Sequence, residues 1–155
     1  MNLELVAHAS LKIENTSGKV LITDPWYKSP VYWGSWFLCP EPNVDDNIYK
    51  STNFIYLTHW HFDHFDYKTI REFDKDTKIF VPQFPSSIMK QELNKLGFNN
   101  VVEMIHNKEY FLESNFSIIS HQVEHQDDSI LIIKVDNKIL VNLNDAKPLP
   151  CSWKW

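Results

Sequence analysis

The chain has 155 residues, 43% of them hydrophobic, which is enough for one domain with its own core. A formal charge of −5 gives no bulk attraction to nucleic acid or to an anionic membrane, so neither is expected as a partner. The N-terminus MNLELVAHAS lacks a basic start followed by an apolar stretch, and no apolar run approaches the roughly 20 residues of a membrane span, so a soluble, cytoplasmic chain is expected.

In chain order, runs rich in Val, Ile and Leu predict strands over 3–7, 11–14 and 19–23, with Asn15-Thr16-Ser17-Gly18 as the turn between the last two. The stretch 25–53, rich in proline and tryptophan, reads as a long ordered loop. A strand is expected over 54–58, a helix over 67–73 and a strand over 78–81. A second helix over 86–96 starts at Pro85-Ser86-Ser87 and stops at Gly97. Strands return over 101–105, 110–112, 116–120, 129–135 and 138–142, the last two joined by Asp136-Asn137. This order predicts a mixed α/β sandwich. Cys39 and Cys151, far apart and in no CxxC pair, support neither a disulfide framework nor a thiolate zinc site.

The segment THWHFDHFD, 58–66, crowds His59, His61, Asp63, His64 and Asp66 against an apolar run. Protonated imidazoles so close would repel one another, and a bound cation reverses that balance. If the preceding strand is buried, alternation points His59 and His61 the same way. Asp63 and His64, on the loop beyond, can face a second focus, so the spacing suggests two divalent metal ions. Nitrogen and oxygen donors suit zinc, iron or manganese. Further ligands must come from elsewhere: SHQVEHQDDS offers His121 and His125, and VNLNDAKP offers Asp145, whose carboxylate could bridge two cations.

His59-Trp60-His61-Phe62-Asp63-His64 matches the HxHxDH signature of the metallo-β-lactamase fold superfamily. Within it the chain most resembles the metallo-β-lactamase-like region of the CMP-N-acetylneuraminate hydroxylase family, through HASLKIE, TDPWYKSPVYWGSWFLCPEP, YLTHWHFDHFDYKTI and SILIIKVDNKILVNLNDAKP. The resemblance implies an αββα sandwich, of which this chain, one domain over 1–155, supplies the N-terminal half to two-thirds. It also implies His59, His61 and His125 as ligands of one metal, Asp63 and His64 as ligands of the second, and Asp145 as the bridge. His121 then stands behind the ligands, Asp24 supports the metal loop, and His8 faces the substrate. The superfamily's further histidine downstream of Asp145 has no counterpart here, so the second metal is expected to be short of a ligand and the chain to be C-terminally truncated. Nor does anything here match the Rieske iron–sulfur region that the hydroxylase family also carries.

The leading functional expectation is a metal-dependent hydrolase that uses a metal-activated water, with Asp63 and Asp145 as its catalytic carboxylates. The resemblance also implies an iron-dependent monooxygenase as the runner-up, and a non-catalytic metal-binding fragment is the third reading. The expected partner is a small-molecule substrate. The aromatic stretch 26–37 is compatible with a sugar or nucleotide ring, and the resemblance implies a nucleotide sugar.

Overall fold

Alternation along short apolar strands decides what each face of the first sheet meets. In the computed structural model, which describes residues 1–123 and 127–147, this sheet has the order β1 (Asn2–Ala7), β2 (Ser10–Glu14), β3 (Val20–Thr23), β4 (Phe54–Tyr56), β5 (Lys78–Pro82) and β6 (Val101–Met104). The first three strands are antiparallel; β3 to β6 run parallel. Ile22, Ile55, Ile79 and Val81 fall on one face, and their neighbours Leu21, Tyr56 and Phe80 fall on the other. Both faces are covered, which is why these strands read as continuous apolar runs.

The first face packs on helices α1 (Asn47–Ser51), α2 (Tyr67–Ile70) and α3 (Ile88–Lys95), through Ile48, Ile70, Met89 and Leu93. The second face packs on an antiparallel sheet of order β10–β9–β8–β7, where β7 is Glu109–Glu113, β8 Phe116–Gln122, β9 Ser129–Val135 and β10 Lys138–Asn142. Phe116, Ile118, Leu131, Ile133 and Val135 form that contact. The layers are therefore helices, sheet and sheet. Phe111 and Ile139 stand 70% and 69% exposed on the second sheet. Among the described residues no helix is long and apolar enough to cross a membrane.

Three expectations change. The strand predicted over 54–58 ends at Tyr56, because Thr58 N donates to the Asp24 carboxylate at 2.8 Å rather than to a neighbouring strand. The stretch 25–53 is not all loop: it holds α1 and a tight turn at Tyr32–Gly34, where Tyr32, Trp33 and Gly34 have φ of 50°, 54° and 86°. The helix predicted over 67–73 keeps only Tyr67–Ile70, begun by the Asp66 side chain, which accepts from Lys68 N and Thr69 N. Strands β9 and β10 match expectation, and the turn between them places Asp136 and Asn137 in the left-handed region.

Candidate metal centre

The parallel strands β3 and β4 end side by side, and the residues that leave them meet at their carboxyl ends, where open α/β sheets bind ligands. Asp24 follows β3 with φ of 38° and is fully buried. Its N–H donates to Tyr56 O at 3.0 Å. Its carboxylate accepts from Thr58 N at 2.8 Å, from Thr58 Oγ1 at 3.0 Å and from Asn144 Nδ2 at 3.1 Å. Asn144 also donates to Thr58 Oγ1. One buried carboxylate thus ties together the chain leaving β3, β4 and β10, and so places the histidine motif beside Asp145.

His59 is buried, and its Nδ1 lies 3.0 Å from Thr58 Oγ1 and 3.3 Å from Asp128 Oδ1. Because the Thr58 hydroxyl hydrogen is committed to Asp24, His59 Nδ1 must be the donor in this contact. Its Nε2 lone pair is then left facing inward, the arrangement that orients an imidazole for a metal. That Nε2 lies 2.8 Å from His61 Nδ1. Burial, and then the neighbouring His59, pull His61 below the ordinary imidazole value, which keeps a second lone pair available. One donor atom each from His59, His61 and Asp145 lie within 4.8 Å of one another.

A second group, formed by His8, Asp63 and His64, satisfies the same limit. The Tyr32 hydroxyl donates to Asp63 Oδ1 at 2.7 Å, and burial followed by Asp63 itself raise that phenol's pKa, so it stays protonated as a donor. Asp63 Oδ2 lies 3.1 Å from His8 Nε2 and 3.3 Å from His64 Nε2. His64 is fully buried, its Nε2 has no hydrogen-bond partner among the described residues, and Asp145 Oδ2 lies 3.5 Å away. A buried nitrogen without a partner, facing two carboxylate oxygens, fits a cation.

Burial pulls the His64 imidazole down, but its contacts with the Asp24 and Asp63 carboxylates outweigh that and hold it up at about 10. Burial also pushes Asp63 up, yet His64, His8 and Tyr32 together hold its carboxyl well below the usual range. In the metal-free protein the His64 contribution to stability is fully present below its ordinary 6.5 and is lost as pH rises towards about 10. The Asp63 contribution is present above its ordinary 3.8 and is lost as pH falls further. A metal ion must displace the His64 proton. Affinity at this position is therefore expected to rise about tenfold per pH unit until pH approaches about 10, with about one proton released per ion below that. Calorimetry in buffers of different ionisation enthalpy measures this, and pH-independent binding would contradict it.

His8 also borders a cleft of about 610 Å³ that includes Leu5, Trp26, Trp36, Phe37 and Cys39, with no lysine or arginine among its described lining residues.

Of the residues singled out in the sequence, the fold gathers His8, Asp24, His59, His61, Asp63, His64 and Asp145. His121 is not in either group; its Nδ1 donates to Asn107 Oδ1 at 2.6 Å. His125 lies outside the described residues. His106 is a loop histidine held between Gln83 O and Ser120 Oγ. Sequence reasoning missed Tyr32, Thr58, Asp128 and Asn144. Only Asn144, adjacent to Asp145 at a strand end, carried a local signal.

No family model matches the chain. It is 30% identical to a protein of Mycolicibacterium smegmatis provisionally named a Rieske 2Fe-2S iron–sulfur protein, over 96% of this chain and 30% of that one. It is 25% identical to the cytidine monophosphate-N-acetylneuraminic acid hydroxylase of Danio rerio, over 94% of this chain and 26% of the hydroxylase. The expectation of greatest likeness to the hydroxylase is not upheld, since the mycobacterial protein is the more similar of the two. The chain spans less than a third of the length of either relative. Among solved structures, a possible metal-dependent hydrolase from Veillonella parvula superposes with a TM-score of 0.71 at 16% identity, over 88% of this chain and 59% of that one. A metallo-β-lactamase fold protein of Bacillus subtilis superposes with a TM-score of 0.56 at 13% identity, over 87% and 53%.

The chain has a metallo-β-lactamase fold. It is a partial αββα sandwich: the helix layer and both sheets are present, and among the described residues no helix covers the outer face of the second sheet. The site lies where a strand end delivers the HxHxDH motif into a metallo-β-lactamase fold.

Proposed function

We propose that this chain carries the centre of a metal-dependent hydrolase that acts on a small molecule, with two divalent ions held by the two donor groups. The observation that carries the reading is their arrangement: one group of His59, His61 and Asp145, and one containing the unpartnered, buried His64 Nε2. Zinc fits these nitrogen and oxygen donors best, with manganese or iron as alternatives. Such ions, when bound, lower the pKa of a coordinated water from about 15.7 to about 7.

The chain's own residues supply the rest. Tyr32 satisfies one oxygen of Asp63, so only Oδ2 turns to the centre. Asp145, with its side chain 60% exposed, stands at the open side, where it can orient an attacking water and accept its proton. Trp36 and Phe37, both exposed beside the cleft, offer apolar surface for the non-reacting part of a substrate such as a sugar ring.

A panel of lactones and phosphodiesters tests the reading. Turnover is expected to vanish on chelation and to return with zinc or manganese. Metal binding without turnover in the full-length protein would leave a non-catalytic metal module instead.

The names of the relatives favour a second reading, an oxygenase. In it the same donors would hold iron, and electrons would come from an iron–sulfur region elsewhere in a longer protein. Cys39 and Cys151 are the chain's only cysteines and do not form the paired Cys and His ligands of a Rieske cluster. Iron uptake with substrate-dependent oxygen consumption would favour this reading over hydrolysis.

A further inference from the structure

Asp63, His64 and a shared Asp145 give the second ion three donors among the described residues assigned to it so far. A fourth is already at hand, and the sequence alone assigned it to the substrate. The β1–β2 pairing shifts register between Leu5 and Ala7, and the turn that follows holds His8 at φ of 47°. That conformation is easy for glycine and uncommon for other residues, with asparagine, aspartate and histidine adopting it more readily than most. The ring packs edge-on against Trp26 at 5.1 Å, which directs Nε2 across the turn to Asp63 Oδ2 at 3.1 Å. Its centroid lies 5.4 Å from that of His64.

A plain ion pair between His8 and Asp63 would explain that contact. The fully buried His64 Nε2 faces the same Asp63 oxygen at 3.3 Å and makes no hydrogen bond among the described residues, so a proton or a metal ion must occupy the space between them. A cation between the three side chains accounts for both observations.

We propose that His8 is a ligand of the second metal ion, completing a His8, Asp63, His64 and Asp145 set of two nitrogens and two oxygens. The chain then needs no histidine beyond Asp145 to close that site, and His8 joins the metal centre to the aromatic cleft it borders. This inference rests on the reading of the centre as a two-metal site.

The test is zinc titration of the metal-stripped chain by calorimetry, for the wild type and for His8→Gly. Glycine is unstrained at the observed φ and leaves room for a free imidazole. The wild type is expected to bind two equivalents. His8→Gly should keep the first and weaken the second by more than about 100-fold, beyond the roughly 10–100-fold cost of losing a group that merely supports a ligand. Added imidazole should restore the second equivalent, an outcome that a structural role for His8 would not give. Should the glycine variant fail to fold, His8→Asn, which tolerates the same backbone, gives the comparison. Two unchanged sites in a folded His8 variant would overturn the proposal. The His59→Ala variant, titrated in parallel, separates the two claims. If it loses no zinc, the reading of the centre fails; if it loses zinc while the His8 variants do not, only the role of His8 fails.

Discussion

Asp145→Ala is expected to empty both metal positions while leaving the fold nearly untouched. The side chain is 60% exposed, so its removal costs little packing, yet its carboxylate belongs to the His59 and His61 group and lies 3.5 Å from His64 Nε2. Losing a shared donor weakens two sites at once. Each should fall by more than the roughly 100-fold that bounds the loss of a supporting group. Elemental analysis after dialysis should find well under one equivalent, with the metal-free melting temperature unchanged. Two retained equivalents would show that Asp145 bridges nothing.

Asp24→Ala should do the opposite, breaking the scaffold before the chemistry. Asp24 is fully buried and accepts three hydrogen bonds, from Thr58 N, Thr58 Oγ1 and Asn144 Nδ2, besides lying 3.6 Å from His64 Nδ1. Truncation leaves buried donors without an acceptor and an imidazole without its nearest counter-charge on that side. The expected cost is about 3–5 kcal/mol, a large share of the stability of a domain this size. Asp24→Asn retains one acceptor and should cost less. Urea denaturation of the metal-free variants gives both values, and a loss below about 1 kcal/mol for alanine would contradict the scaffold role.

The parts of this molecule legible in the sequence are those whose cause is local. Strands β9 and β10 could be read because apolar alternation is interrupted by Asp136-Asn137, two residues that tolerate the left-handed turn. The HxHxDH motif could be read because its donors lie within six positions. Helix α1 could not, since five residues with no side-chain cap show no helical period. The end of β4 moved because Asp24, 34 positions away, captures Thr58. The partners that complete the centre are equally distant: Tyr32 reaches Asp63 across 31 positions, His8 across 55, and Asn144 reaches Asp24 across 120. Strand pairing within the first sheet brings His8 and Tyr32 to Asp63, and the packing of the second sheet on it brings Asn144 to Asp24.

The central claim is that one chain holds two metal ions between two donor groups that share Asp145. Anomalous diffraction from crystals of the zinc-loaded protein tests it most directly. The expected result is two peaks, roughly 3.5–4 Å apart as in other two-metal sites, one beside His59 and His61 and the other among His8, Asp63 and His64, with Asp145 between them. A single peak, or a second peak away from His8, Asp63 and His64, would contradict it.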